Sequence, residues 1–270
     1  MLKSPGAVAF HIGSLTIYWY GIIIALAFLV GLFITLIIAK KDYPDDKTRE
    51  HIIDLSTLLL IGGVIFARLY YVIFNWKYYS HHILESFMTW RGGLSIHGVI
   101  IGSILIIYFY TKHHKISLLK YTDIFAYGMI FAQAIGRWGN FFNSEAFGSP
   151  TNLPWKLYIP PANRPLEYIS FGYFHPTFLY EFLWNLVVFI ILITVVRKNF
   201  KNKTGSITCF YFILYSLGRF IIEGIRIDNI YVIFGLPIAQ FISIIMFLAG
   251  IIGLYLVLKQ KQNHDTDLKN

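Results

Sequence analysis

The stretch IFAYGMIFAQAIGRWGNFFNSEAFG, residues 124–148, decides the fold. From Ile124 to Ile135 it is apolar, aromatic or small apart from Gln133, which is the composition of a membrane-spanning segment. It then runs straight into Arg137, Asn140, Asn143 and Glu145. Charges at the end of such a segment are costly, and they mark a functional site by default. A guanidinium fork can hold a phosphate through two hydrogen bonds, and the asparagines and the glutamate can orient a neutral polar group. Gly136, Gly139 and Gly148 allow a ligand or a neighbouring helix to approach the backbone closely. The stretch reads as half of a site for a phosphate-bearing lipid headgroup.

The rest of the chain agrees with a membrane setting. Of 270 residues, 56% are hydrophobic and only 14% charged, and the mean hydropathy is +0.59. A soluble domain of this size needs far less apolar surface, so the expected class is an all-α polytopic membrane protein with one transmembrane domain, 1–270. The net charge of +9 is not a nucleic-acid face, because the cations sit in short loops between apolar runs. The single cysteine, Cys209, excludes an internal disulfide and a cysteine-rich metal site, and it lies in an apolar run as a packing residue. Met1 to Ser14 lacks a basic stretch followed by an apolar core, so the first spanning helix is expected to act as an uncleaved signal.

Seven spans are expected, over roughly 17–39, 55–75, 97–111, 121–138, 176–196, 206–224 and 236–258. Of the 23 Lys and Arg residues, fourteen fall in one set of loops, six in the opposite set and three inside spans. The positive-inside rule then places the N-terminus outside and the C-terminus in the cytoplasm. Residues 149–175, with five prolines and no periodicity, become an extracytoplasmic loop. The polar end, 259–270, becomes a disordered cytoplasmic tail.

This topology puts the three span arginines, Arg68, Arg137 and Arg219, near the outer ends of their helices. Arg68 fits a lipid phosphate and simple snorkelling to the interface equally well. The other two have polar neighbours at helical spacing. Gln133, Arg137, Asn140 and Ser144 would share one face, as would Tyr215, Arg219, Glu223 and Arg226. The bland reading of Arg219 and Glu223 is a buried structural ion pair. Glu181, early in the fifth span, is a further intramembrane charge needing a partner, such as one of the arginines. Gly92-Gly93-Leu94-Ser95-Ile96-His97-Gly98 opens the third span and could bring an imidazole and free N–H groups to an anion, although a lone histidine there is more often structural. Tyr20 opens the first span, where aromatics usually form an interface belt. Carboxylates and histidines are not at ligand spacing, so no metal is expected, and no nucleotide motif or other cofactor signal is present.

Taken together, five motifs in order resemble the prolipoprotein diacylglyceryl transferase family over nearly the whole chain. They are Trp19-Tyr20-Gly21, the Gly92–Gly98 segment, Gly136-Arg137-Trp138-Gly139-Asn140-Phe141 through Glu145 and Gly148, His175-Pro176-Thr177-Phe178-Leu179-Tyr180-Glu181, and Gly218-Arg219-Phe220 with Glu223 and Arg226. The departures are Ser144, where the family commonly has glycine, Val99, where a second glycine often follows the histidine, and Tyr18, where basic residues are common.

The resemblance implies transfer of an sn-1,2-diacylglyceryl group from phosphatidylglycerol to the lipobox cysteine thiol in the signal peptide of a preprolipoprotein. A thioether forms and glycerol phosphate leaves. It also implies a bacterial cytoplasmic membrane location with the site toward the outer leaflet. Arg137 resembles the family's phosphatidylglycerol-binding arginine and Arg219 its second key arginine. Tyr20, His97, Asn140, Glu145, Gly148 and Glu223 resemble other positions linked to activity. The chemistry asks for loss of the thiol proton, with His97 as candidate base, and for cations placed where phosphate charge develops. Another phosphatidylglycerol-dependent transferase would share the headgroup site, and a lipid transporter would use the same buried charges as a substrate path.

Overall fold

The structure is a computed structural model, and it describes residues 1–227, 232–233 and 235–267. The chain opens with three short strands, β1 (Leu2–Lys3), β2 (Val8–Ile12) and β3 (Leu15–Tyr18). Helices α1 (Trp19–Asp42), α2 (Asp46–Phe74), α3 (Trp76–Tyr79), α4 (Ile96–His113) and α5 (Leu118–Asn143) follow. Then come β4 (Leu157–Tyr158), β5 (Tyr173–Phe174), α6 (Thr177–Ile191), α7 (Arg197–Phe200), α8 (Ser206–Glu223), β6 (Val232–Ile233), β7 (Leu236–Pro237) and α9 (Ile238–Asp267). A π-helical turn, Leu192–Val196, joins α6 to α7.

Six helical segments are long and apolar enough to cross a membrane, and the protein is a multi-pass membrane protein. They are Trp19–Asp42, Asp46–Phe74, Ile96–His113, Thr177–Phe200, Ser206–Glu223 and Ile238–Lys259. The segment expected at 121–138 lies within α5, whose 26 residues are long enough. Lys120, Asp123, Gln133, Arg137, Asn140 and Asn143 dilute its apolarity, so it falls outside the six. Of the tail expected to be disordered over 259–270, the part up to Asp267 belongs to helix α9, and 268–270 lie outside the described residues.

Two compact units are present, Leu36–Tyr121 and Met1–Thr35 with Thr122–Asn270. In the first, Asp45 caps α2, accepting from the Thr48 N–H at 2.6 Å and its hydroxyl at 2.8 Å. Helices α2 and α4 touch through small residues. A Cβ on Gly98 would run into the Phe66 carbonyl, and one on Gly102 into the Phe66 ring. With little hydrophobic drive between helices in lipid, such close approach is what holds them together.

In the second unit, α1 and α5 cross where Gly31 meets Gly128. Near its other end α5 carries Asp123, a buried carboxylate that accepts from the Gly205 N–H at 2.6 Å, and from the Thr208 N–H and hydroxyl at 2.7 Å each. It thereby satisfies the first turn of α8, whose N–H groups have no partner within the helix. Helix α9 packs on α8 through Gly250 and Gly253, which lie against Cys209, so the cysteine is a packing residue. The proline-rich connection 149–175 is an ordered cap. Within it β4 pairs with β1 in parallel and with β5 antiparallel. Beneath lies a core of Phe147, Leu157, Ile159, Phe174 and Phe178. Two-residue strands are too short to carry an alternating pattern, so this sheet leaves no periodic trace in the sequence.

Candidate active site

Helices α5, α6 and α8, with the segment that follows α8, bring five charged side chains together inside the second unit. Glu181 of α6 is the hub. Its Oε2 lies 2.7 Å from Arg137 Nη2, and its Oε1 lies 2.8 Å from Arg219 Nη1. Arg219 turns its other nitrogen, Nη2, to Glu223 Oε2 at 2.7 Å, one helical turn on. Arg226 completes the group, 3.4 Å from Glu223 and 3.8 Å from Glu181. Both glutamates are buried, at 3% and 4% exposure, whereas the three arginines keep between 13% and 19%. Three guanidiniums and two carboxylates leave a residual charge of one positive unit among these residues. The solvent-facing part of the cluster is cationic, which suits a phosphodiester monoanion.

A second branch extends from Arg137. Its Nη1 donates to Asn140 Oδ1 at 3.4 Å, and Asn140 Nδ2 donates to Glu145 Oε1 at 2.9 Å. Asn143 Nδ2 reaches the same Glu145 oxygen at 3.3 Å. Tyr20 of α1 lies against Gly139, where a Cβ would come within 2.8 Å of its ring. So Tyr20, Arg137, Asn140, Glu145, Arg219 and Glu223 belong to one unit and to neighbouring parts of it.

The backbone after α5 is unusual. Helix α5 ends at Asn143, so Ser144 does not continue the face of Gln133, Arg137 and Asn140 as the spacing alone predicts. Ser144 and Ala146 adopt left-handed conformations, with φ of 52° and 55°. Glycine is the residue such positions favour, which gives a physical reason for the glycine expected at 144. The Thr177 hydroxyl donates to the Ala146 carbonyl. Gly148 is then clasped between two chains. Its N–H donates to the His175 carbonyl at 2.9 Å, and a Cβ there would lie 2.8 to 3.0 Å from atoms of Ile225 and His175. The turn thus ties the start of α6 to the exit of α8, and fixes Glu181 and Arg226 relative to Glu145.

Two candidates belong to the other unit. His97 Nδ1 lies 3.4 Å from the Ser95 hydroxyl, and its ring stacks on Tyr70 with centroids 5.7 Å apart. The glycines that follow it, Gly98 and Gly102, serve contact with α2. Arg68 matches neither reading that its position suggested. It is buried and donates to four main-chain carbonyls, those of Glu85 at 2.6 Å, Ser86 at 2.9 Å, Gly92 at 2.7 Å and Gly93 at 3.0 Å. Its guanidinium also stacks on Tyr71 and Tyr79. It fastens the connection between α3 and α4. The sequence flags Glu181 only as a charge in need of a partner. That it serves two arginines from two other helices is visible only in the fold.

The model of the family described as "Prolipoprotein diacylglyceryl transferase" matches residues 7–256. The chain belongs to the prolipoprotein diacylglyceryl transferase family. The chain is 48% identical over 264 residues to the phosphatidylglycerol--prolipoprotein diacylglyceryl transferase of Synechocystis sp., covering 95% of this chain and 92% of the relative. It is 48% identical over 269 residues to the protein of the same name from Acaryochloris marina, covering 98% and 96%. A relative of that name from Thermosynechococcus vestitus is 45% identical over 253 residues, covering 94% and 92%. The region matched to the diacylglyceryl transferase family includes every residue of the charged cluster and the branch to Glu145.

Proposed function

We propose that this protein transfers the sn-1,2-diacylglyceryl group of phosphatidylglycerol to the cysteine thiol in the lipobox signal peptide of a preprolipoprotein. The observation that carries the reading is the Arg137–Glu181–Arg219 triad, two guanidiniums held by one buried carboxylate with a surplus positive charge. Thiolate sulfur attacks the glyceryl carbon bound to the phosphate, a C–S bond forms and the C–O bond breaks. Glycerol phosphate then departs with more negative charge than the diester carried. Arginines stay charged in a low-dielectric site and need no reorganisation when that charge develops. Glu181 and Glu223 set the guanidinium planes in advance, so less entropy is lost on binding phosphate. Asn140, Glu145 and Tyr20 are assigned to the headgroup glycerol, with Gly148 holding the turn that presents Glu145. His97 is assigned the thiol proton.

In this reading α5 is the seventh span, the N-terminus is outside, the C-terminus is cytoplasmic, and the arginines face the outer leaflet of the bacterial cytoplasmic membrane. The test is mass spectrometry of a lipobox peptide incubated with the purified protein and phosphatidylglycerol liposomes, beside Arg137→Ala checked for folding in detergent. A diacylglyceryl mass gain on cysteine that the variant loses supports the reading. A folded wild type that gives no gain, where one of the relatives does, overturns it.

A further inference from the structure

Below the charged cluster lies a second polar layer that the reaction above does not use. Asn185 sits on α6 one turn beyond Glu181, faces the interior and is 2% exposed. Its Nδ2 has no hydrogen-bond partner among the described residues. A buried amide donor without an acceptor is costly, so it points to an acceptor supplied by a ligand.

Helix contacts show what shares its level. On α5 and α6, Arg137 pairs with Glu181, Trp138 packs on Phe178 and Phe182, and Phe131 packs on Phe189. This antiparallel register sets Asn185 level with Gln133. On α8, Trp184 donates to the Leu214 carbonyl at 2.9 Å and packs against Gly218, while Arg219 pairs with Glu181. Asn185 is therefore level with Tyr215. Tyr215 stacks on Tyr211, ring centroids 5.6 Å apart, and the Tyr211 hydroxyl donates to Gln133 Oε1 at 3.1 Å. The layer lies one helical turn, about 6 Å, from the arginines toward the middle of the helices.

We propose that this layer is an ester subsite, in which the Asn185 amide donates to an acyl-ester carbonyl of the same lipid whose phosphate rests on Arg137 and Arg219. The inference rests on the lipid-donor reading of the site. A glycerophospholipid carries its ester carbonyls a few bonds from the phosphate, on the side from which the acyl chains run into the membrane. A donor one turn deeper than the phosphate site meets that geometry. A carbonyl of the incoming peptide is the competing acceptor, and it is disfavoured because the layer lies on the acyl-chain side of the arginines.

The experiment compares diester phosphatidylglycerol with its dialkyl ether analogue, which has the same headgroup and chains but no carbonyls. Binding to the purified full-length protein is measured in lipid-depleted detergent, so the readout does not require turnover. Wild type is expected to bind the ester about five- to tenfold more tightly. In Asn185→Leu that ratio falls to about one, with affinity for the ether unchanged. The variant also melts about 2–4 °C higher without lipid, because an unpaired buried donor is gone. A residue with only a structural role would not combine higher lipid-free stability with lost ester preference. Equal affinity of wild type for the two lipids overturns the proposal whether or not the variant folds, and so does an unchanged ratio in Asn185→Leu. A variant that alters only the KM for the lipobox peptide gives the donor to the peptide and overturns it too. Ester preference that depends on Asn185 without any diacylglyceryl transfer by wild type would sink the transferase reading and leave the subsite standing.

Discussion

Replacing Glu181 by glutamine removes one charge from the centre of the cluster and keeps its shape. Three ion pairs are lost at once, two short ones to Arg137 at 2.7 Å and Arg219 at 2.8 Å and a longer one to Arg226 at 3.8 Å. A pair of unit charges near 4 Å interacts with about 4 kcal/mol at an effective dielectric of 20, and burying the carboxylate offsets much of that sum. The net cost follows from what remains, because three partly buried guanidiniums are then left with one carboxylate, Glu223, among the described residues of the cluster. Breaking a buried pair from one side costs about 3–5 kcal/mol. Thermal unfolding in detergent, followed by tryptophan fluorescence, should therefore drop by several degrees for Glu181→Gln. Activity should fall further than stability. The arginines lose the carboxylate that aims them, and losing one preorganised charge-stabilising contact costs about 10²–10³ in rate. A cycle with Arg137→Ala sharpens the test. Because the two side chains touch, the double variant should be less impaired than the summed single effects, by about 1–3 kcal/mol. Wild-type melting and wild-type transfer in Glu181→Gln, or strictly additive effects in the cycle, would refute the claim that this carboxylate organises the site.

Three further outcomes follow from other parts of the molecule. Arg68→Ala removes donors to four carbonyls and should open the connection between α3 and α4 to limited proteolysis; Arg68→Lys should fail to rescue it, since one ammonium cannot reproduce the fork. Ser144→Gly should raise the melting temperature, by up to about 1 kcal/mol of relieved left-handed backbone, with transfer activity retained. Asp45→Ala should lose the cap on α2. The Thr48 N–H and hydroxyl hold the Asp45 carboxyl below its ordinary range, so its contribution is present above about pH 4 and fades as pH falls through the lowered folded value. Melting curves of wild type and Asp45→Ala should therefore differ at pH 7 and converge in acid, and a difference that persists at pH 2 would contradict this role.

Membrane class and most helix positions were legible in the sequence, because apolar length is a one-dimensional property. The expected and observed segments differ mainly at their ends, where caps such as Asp45 lie outside the apolar run. Within one helix, spacing also carries chemistry. Arg219 and Glu223 stand four residues apart and form the pair that this spacing allows. Arg137 and Asn140 are likewise neighbours on α5. Ser144 breaks the pattern because helical periodicity holds only while the backbone stays helical, and the chain turns left-handed there.

What only the tertiary structure decided is which groups meet between elements. Arg68 could be placed near a helix end but not on the carbonyls of a loop some twenty residues away. Asp123 reads as one more charge in an apolar run until it is seen capping α8, 85 residues on. Glu181 needed a partner, and found two on helices to either side of it in sequence. Asn185 carried no signal at all, and its meaning lies in an amide left without a partner. The physical reason is the same in each case. Residue order sets length, hydropathy and the faces of single helices, whereas the rotation and register of one helix against another are settled by packing summed over the whole bundle.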